Sequence, residues 1–213
     1  MTRRRELAPD EPRPILVWEP VPDLCTPEEF ERLRAAASLV DVVSPNAEEL
    51  ISFFPSNSKS LTRQSMVKDI LGLDSENPLS TALVVREGAL GCTTYVRHDV
   101  LHLNACHQDS CLVADPTGGG NTFLGALALG LTGVSSVPSV DFLRSSHSND
   151  ISKRKNLVVA LLHATVAAAY AIEQVGMPAV STAEPDTWNG VRYQNRFEEY
   201  LDRERDHITS QLQ

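Results

Sequence analysis

The sequence has no hydrophobic segment long enough to cross a membrane. Its longest apolar run extends from Leu157 to Ile172, and His163 interrupts it, so it falls short of the roughly 20 apolar residues that a membrane-spanning helix needs. A buried helix is the better interpretation of this run. The N-terminus also lacks the apolar segment of a signal peptide. We therefore expect a cytoplasmic protein that makes no membrane contact.

The sequence contains few cysteines and fewer basic than acidic residues. Four cysteines in 213 residues do not make a disulfide scaffold, so we expect reduced thiols. Lysine and arginine number 19 against 28 acidic residues, a formal net charge of −9. This balance argues against broad binding to nucleic acid or to acidic membrane surfaces. The remaining composition, 42% hydrophobic and 22% charged, is that of an ordinary globular domain.

Five potential metal ligands lie close together, at His98, His102, Cys106, His107 and Cys111. Residues of these types can hold zinc. Their spacing, however, matches none of the common paired-ligand signatures. The preferred interpretation is a connecting segment with exposed histidines, within a polar loop predicted over residues 97–110.

The most informative stretch is glycine-rich and runs from Asp115 to Gly125. A β-prone piece, Cys111 to Ala114, precedes it, and an apolar run, Phe123 to Leu131, follows it. This order predicts a strand, a glycine turn and a helix. In a parallel sheet, the turn is then at the carboxyl end of a strand, where ligands bind.

Three consecutive glycines, Gly118, Gly119 and Gly120, remove every Cβ where a ligand could approach the backbone. The amides of Gly119, Gly120 and Asn121 are then expected at a helix N-terminus. Unpaired N–H groups and the helix dipole both favour an anion at that position. The alternative is a tight turn that binds nothing. Asp115 is expected to be structural.

The rest of the chain alternates between strand and helix patterns, which predicts parallel strands joined by crossover helices and hence an α/β fold. The segments 81–85 and 92–96 are interpreted as a hairpin or as neighbouring strands. Close packing is the preferred explanation for the alanine-rich helix that ends near Val175, and the charge run of the last helix is expected to be a solvated face. Further strands are predicted at 15–18 and 40–43, and helices at 26–39, from about 47, near 66–71, from 149 or 150, and at 193–207.

At the glycine-rich motif the chain resembles the PfkB (ribokinase-like) carbohydrate kinases, and in particular the fungal branch that includes the yeast killer-virus maintenance protein. The resemblance extends from Pro14 onward; besides the glycine loop, it is carried by residues 15–22, 41–46 and 171–178. It implies a ribokinase-like three-layer αβα fold with a mostly parallel sheet. Only the C-terminal half of that fold is implied: residues 14–207 form a partial domain, 1–13 a disordered tail and 208–213 a second tail.

The resemblance also implies roles for individual residues. Gly118, Gly119 and Gly120 form the anion hole under the transferred phosphate, and Thr117 contacts the nucleotide. Asn46 and Glu49 stand in an N-x-x-E motif that helps to organise Mg²⁺ and the phosphates, with Glu49 near the metal only indirectly. The other interpretation of this pair is a helix cap, and both can hold at once. The remaining positions, where the family's backbone meets ATP, are Arg86, Gly88 and Gly91.

Asn121 occupies the position of the family's catalytic base, which is usually Asp. A neutral amide cannot take the proton of the acceptor hydroxyl, and losing general-base help typically costs about 10²–10⁴-fold in rate.

The resemblance implies phosphoryl transfer from ATP, with Mg²⁺, to a hydroxyl of a sugar or another small molecule. Two alternatives stay open: a non-catalytic nucleotide-binding or interaction protein of the pseudokinase type, and a cleft taken over for other small-molecule biosynthetic chemistry. The absent half contributes strands, the lid and most sugar-binding groups in the family. We therefore expect a second copy or a partner chain to cover the exposed sheet edge.

Overall fold

A five-stranded sheet forms the centre of the structure, a computed structural model that describes residues 13–55, 61–133 and 149–212. The predicted N-terminal tail, apart from Arg13, lies outside the described residues, as does most of the connection predicted over 133–148. The strands are β1 (Val17–Trp18), β2 (Val42–Val43), β3 (Ala82–Arg86), β4 (Cys92–Val96) and β5 (Asp99–Leu103), and a separate hairpin consists of β6 (Thr187–Trp188) and β7 (Val191–Arg192).

Helices cover both faces of this sheet. Within the described residues they are α1 (Phe30–Ala37), α2 (Ala47–Ser52), α3 (Arg63–Leu71), α4 (Gly119–Leu131), α5 (Asn149–Ile172) and α6 (Tyr193–Gln211). The three-layer α/β class predicted from the sequence is therefore confirmed. Helix α6 is longer than the predicted segment and includes buried Ile208, so the boundary expected at His207 lies inside a helix.

The sheet order is β1-β2-β3-β4-β5. Strands β1, β2 and β3 pair in parallel, and β3, β4 and β5 pair antiparallel. The parallel part has crossover helices, as predicted, and β3 and β4 form the predicted hairpin. The polar loop predicted over residues 97–110 is wrong in part, because β5 lies within it. The inward residues of β5, Leu101 and Leu103, are buried. The polar residues Asp99 and His102 of the same strand made the segment resemble a loop.

Alternating strand residues divide the core between the two faces of the sheet. Val42 and Val84 pack with α4, α5 and α6, whereas Val43, Leu83 and Val85 pack with α1, α2 and α3. Both sets are almost completely buried. Each short strand therefore contributes to two hydrophobic clusters, which is the arrangement of a sheet between two helical layers.

Helices α4 and α5 touch through their backbones. A Cβ added at Gly130 would lie 2.6 Å from the Cα of Ala160, and Ala160 and Ala164 are fully buried. This confirms close packing as the role of the alanines. Helix α5 ends at Ile172, three residues before the predicted Val175, and the carbonyl of Ile172 accepts hydrogen bonds from the amides that precede the glycine loop.

Helix α6 satisfies the outer edge of β5 with side chains. The Gln211 side chain accepts from the amide of His102 at 2.7 Å and donates to its carbonyl at 3.0 Å. Tyr200 donates to the carbonyl of Asn104 at 2.6 Å, and buried Glu204 accepts from the Asn104 side chain at 2.8 Å. The interpretation of this helix's charges as a solvated face is therefore wrong for Glu204. This sheet edge is blocked against further strands.

No helix among the described residues has both the length and the apolar composition to cross a membrane.

The contact between α4 and α5 predicts opposite effects for one substitution at two positions of α4. Gly125→Ala should raise the free energy of unfolding by about 0.5–1 kcal/mol, because its Cβ meets open space and alanine favours the helix. Gly130→Ala should lower it by about 1–3 kcal/mol through overpacking against Ala160. Urea unfolding of the two variants measures both changes. Stabilisation by both would contradict the packing described.

Candidate functional site

The glycine loop follows an irregular segment and not a strand. The strand predicted over Cys111–Ala114 is wrong: Ser110–Leu112 form a single 3₁₀ turn, and Leu112 is half exposed. The side chain of Asp109 accepts a hydrogen bond from the amide of Cys111 at 2.9 Å, a local bond that competes with strand pairing. The loop is consequently not at the end of a sheet strand.

The end of α5 holds the loop in place instead. The carbonyl of Ile172 accepts hydrogen bonds from the amides of Ala114 at 2.9 Å and Asp115 at 3.2 Å. Asp115 in turn accepts a hydrogen bond from the amide of Thr117 at 2.9 Å. This backbone hydrogen bond has the larger effect, and a side-chain hydrogen bond with Thr117 the smaller, in lowering the pKa of the Asp115 carboxyl group. Asp115 is therefore a structural carboxylate, in agreement with its expected role.

Helix α4 begins at Gly119, as the anion-site hypothesis requires. Gly118 caps it with a φ of 84°, a left-handed conformation that glycine adopts without strain. The amide of Gly119 donates to the carbonyl of Pro116 at 3.2 Å. In the described part of the chain, the amides of Gly120 and Asn121 meet no acceptor. Two of the three predicted donors are thus available to an anion.

The two glycines that open α4 have close neighbours. A Cβ at Gly119 would lie 2.8 Å from Cγ2 of Ile172, and one at Gly120 would clash with Nη1 of Arg86. A side chain at either position would therefore displace a residue that packs on the loop. The two glycines thus allow the side chains of Ile172 and Arg86 to approach the loop backbone.

Arg86, at the end of β3, connects the glycine loop to the start of α2. Its Nη2 donates to the carbonyl of Ser44 at 3.1 Å and lies 3.5 Å from Oε2 of Glu49. The same nitrogen forms an ion pair with Glu19, which follows β1. The Arg86 side chain is only 14% exposed. The tertiary structure thus brings together three polar residues that are far apart in the chain.

Asn46 and Glu49 form a complete capping box at the start of α2. The Asn46 side chain accepts from the amides of Glu48 at 2.9 Å and Glu49 at 2.8 Å. Glu49 accepts from the amide and from the side-chain NH₂ of Asn46, each at 2.8 Å. The capping interpretation is therefore confirmed. A role of this pair toward Mg²⁺ and phosphates stays a prediction.

The other predicted site residues differ in how closely they are packed. Gly91 has a φ of 93°, and a Cβ there would lie 2.0 Å from the carbonyl oxygen of Leu103, so packing against β5 alone requires glycine. Gly88 has a φ of 59° and open space around it. Thr117 and Asn121 are exposed, beside the glycine loop. Their roles toward a nucleotide stay predictions.

The histidines of the predicted connecting segment interact with residues outside it. His107 lies 3.0 Å from the carboxylate of Glu173, and Nδ1 of His102 lies 3.1 Å from the hydroxyl of Thr93. The described residues contain no group of three or more histidine, cysteine or acidic side chains arranged to hold a metal ion. His102 and His107 therefore make polar contacts with side chains of other elements.

Sequence reasoning missed Glu19 and Ile172. Glu19 directly follows a buried strand, and polar residues at that position are often part of a site in parallel sheets. That signal was available. The part played by Ile172 had no sequence signal, because it depends on where α5 ends relative to the glycine loop.

Comparison with known proteins places this arrangement in a family. The model of the pfkB family of carbohydrate kinases matches residues 19–182. The chain is 30% identical over 202 residues to the protein MAK32 of Saccharomyces cerevisiae, a match that includes 89% of this chain and 49% of that protein. An uncharacterized protein of Schizosaccharomyces pombe is 31% identical over 212 residues, with 89% of this chain and 52% of that protein included. The chain thus spans about half the length of these relatives.

Solved structures show the same fold. Ribokinase from Thermotoga maritima superposes with a TM-score of 0.54 at 17% identity, covering 92% of this chain and 52% of its own. An E. coli protein assigned as ribokinase II and solved with ATP and Mg²⁺ gives a TM-score of 0.53 at 20% identity, over 89% of this chain and 49% of its own. At these identities the likeness establishes the fold alone. The ribokinase-like fold inferred from the sequence is confirmed.

The contacts of Arg86 predict that the two adjacent glutamates of α2 contribute differently to the stability of the fold. Glu49→Gln should lower the free energy of unfolding by about 1–3 kcal/mol, because it removes a buried carboxylate that faces a buried guanidinium. Glu48→Gln, at an exposed position one residue earlier, should change it by less than about 0.5 kcal/mol. Urea unfolding of both variants tests this difference. Equal changes in the free energy of unfolding for the two variants would mean that the contact of Glu49 with Arg86 adds nothing to stability and that Glu49 serves only in the helix cap.

Proposed function

The chain belongs to the pfkB family of carbohydrate kinases, and from this premise we propose that it binds ATP at the glycine loop as a carbohydrate-kinase-like protein. The transfer proposed is that of the γ-phosphoryl group to a hydroxyl of a sugar or another small molecule. Intrinsic turnover is slow, because Asn121 stands at the position of the base. The partial domain that carries this site, expected over residues 14–207, extends to the end of α6 at Gln211.

One observation carries the proposal: the amides of Gly120 and Asn121 have no acceptor among the described residues, and Gly120 lies beside the guanidinium of Arg86. Backbone donors at a helix N-terminus favour negative charge, and a triphosphate supplies it. Arginine adds a permanent charge and several donors that match phosphate oxygens. The E. coli neighbour was solved with ATP and Mg²⁺, which supports a nucleotide as the anion.

Mg²⁺ belongs to the proposal through the family resemblance. Both oxygens of Glu49 already interact with protein groups, Oε1 with the Asn46 side chain and Oε2 with the Asn46 amide and Arg86. This arrangement fits a metal that contacts Glu49 only through water and is coordinated directly by phosphate oxygens. Mg²⁺ is commonly bound in this way. When bound, Mg²⁺ would neutralise charge on the phosphates.

A pseudokinase is the second candidate, and Asn121 favours it. A side-chain amide can orient an acceptor hydroxyl, but it cannot take its proton. Phosphoryl transfer depends mainly on positioning and charge stabilisation, so the anion site can retain some activity without a base. The two candidates therefore share nucleotide binding and differ in turnover.

Selection of the acceptor and completion of the sheet are also part of the proposal. Within the described residues β1 pairs only with β2, and Ile15 beside it is 42% exposed. We propose that a second copy or a partner chain covers this edge and contributes to the acceptor side. A cytoplasmic location is supported by the four free cysteines, since reduced thiols are typical of that compartment.

ATP binding tests the anion site directly. Calorimetric titration of the folded protein with ATP and Mg²⁺ should give a saturable heat. Gly120→Ala should weaken binding by about tenfold or more, because the new Cβ displaces Arg86 and narrows access to the loop amides. Gly125→Ala, in the same helix but with open space around it, is the matched control and should bind like the parent. No heat with folded protein would contradict the proposal.

The substitution Asn121→Asp distinguishes a slow kinase from a pseudokinase. If only the base is lacking, ADP formation with a panel of sugars as acceptors should increase by about 10²–10⁴-fold. Asn121→Ala is the control, and its rate should not rise above that of the parent. ADP formation that stays at background in the Asp variant, with ATP binding intact, would establish the pseudokinase alternative.

A further inference from the structure

A cavity of about 490 Å³ lies between the end of α5, the hairpin of β6 and β7, and the irregular segment before the glycine loop. Its volume is in the range of small-molecule sites. None of the residues that line it belongs to the stretch from Asp115 to Gly125. The lining residues that matter for its chemistry are Leu112, Glu173, Gln174, Met177, Asn189 and Arg196.

The charged groups of the cavity compensate each other within the protein. Oε1 of Glu173 lies 2.7 Å from Nη1 of Arg196 and 3.0 Å from Nε2 of His107. The other carboxylate oxygen, Oε2, accepts a hydrogen bond from the side chain of Asn189 at 2.7 Å. An ionic ligand would lose its hydration here without meeting an unpaired charge of opposite sign among the lining residues. The cavity therefore favours an uncharged ligand.

Gln174 gives the cavity one unsatisfied acceptor. Its Nε2 donates to the carbonyls of Tyr170 at 3.1 Å, Ala171 at 3.2 Å and Gly176 at 3.4 Å. These three acceptors fix the orientation of the amide, because only its nitrogen can donate. Oε1 at the other end is buried and has no donor among the described residues. A buried acceptor without a partner is costly, so a ligand that supplies a donor would be favoured.

The rim of the cavity is apolar and exposed. Met177 is 88% exposed and Leu112 is 50% exposed. A ligand with an apolar ring would remove this surface from water. The thioether sulfur of methionine also makes favourable contacts with aromatic rings. The rim thus favours an aromatic body for the ligand.

We propose that this cavity binds an uncharged aromatic molecule with one N–H or O–H donor. The donor bonds to Oε1 of Gln174, and the ring packs against Met177 and Leu112. The site is separate from the glycine loop, and the inference does not depend on ATP binding there.

Titration of the unmodified protein with indole and with 1-methylindole tests this inference. Both probes are uncharged and have the same ring system, but only indole has an N–H donor. Indole should bind with a dissociation constant on the order of 1 mM and shift the NMR signals of the Gln174 side-chain amide and the Met177 methyl group. 1-Methylindole should bind at least about fivefold more weakly, because it leaves Oε1 of Gln174 unpaired. Equal affinities, no binding of indole, or shifts confined to other residues would overturn the inference.

The substitution Gln174→Leu assigns the donor contact to one side chain. It removes Oε1, so the preference for indole over 1-methylindole should disappear. Gln194→Leu is the matched control, because Gln194 is an exposed glutamine of α6 that does not line the cavity, and its variant should keep the preference of the parent. Thermal unfolding checks that each variant is folded. A folded Gln174→Leu protein that still prefers indole by about fivefold would overturn the inference, and if this variant does not fold, the comparison on the unmodified protein decides.

Discussion

The interaction on which the site depends is the contact of Nη2 of Arg86 with the carboxylates of Glu19 and Glu49. Glu19 follows β1, Glu49 belongs to the first turn of α2, and Arg86 ends β3. One guanidinium thus joins the carboxyl ends of neighbouring strands and places its other nitrogens against the glycine loop. Because the contact is largely shielded from water, the charges interact more strongly than they would on the surface. Their mutual positions are therefore narrowly defined.

The glycine loop depends on a second constraint, the meeting of α4 and α5. Backbone contact at Gly130 and Ala160 fixes the distance between the helices. The carbonyl of Ile172 then binds the chain just before the loop. Neither contact involves a side chain that carries chemistry. Together they position the amides of Gly120 and Asn121, so the geometry of the glycine loop depends on helix packing.

Membership of the pfkB family favours a kinase, whereas Asn121 at the position of the base argues against efficient catalysis. The fold and the glycine loop favour nucleotide binding. Asn121 lacks the basicity that proton transfer requires. The chain spans about half the length of the yeast relatives that it matches.

Local patterns in the sequence determined several features correctly. The capping box of Asn46 and Glu49, the hairpin of β3 and β4, and the start of α4 at the glycines each depend on residues within a few positions of one another. Such short-range hydrogen bonds and φ preferences are readable from sequence. The strand β5 and the burial of Glu204 were missed, because their partners lie about 100 positions away in the chain. The irregular path of Cys111–Ala114 was missed because a local hydrogen bond to the Asp109 side chain outweighs the β propensity of these residues. The placement of Arg86 over Gly120 was decided by tertiary structure alone: 34 positions separate them in the sequence, and only the packing of β3 beside α4 brings the charge to the loop.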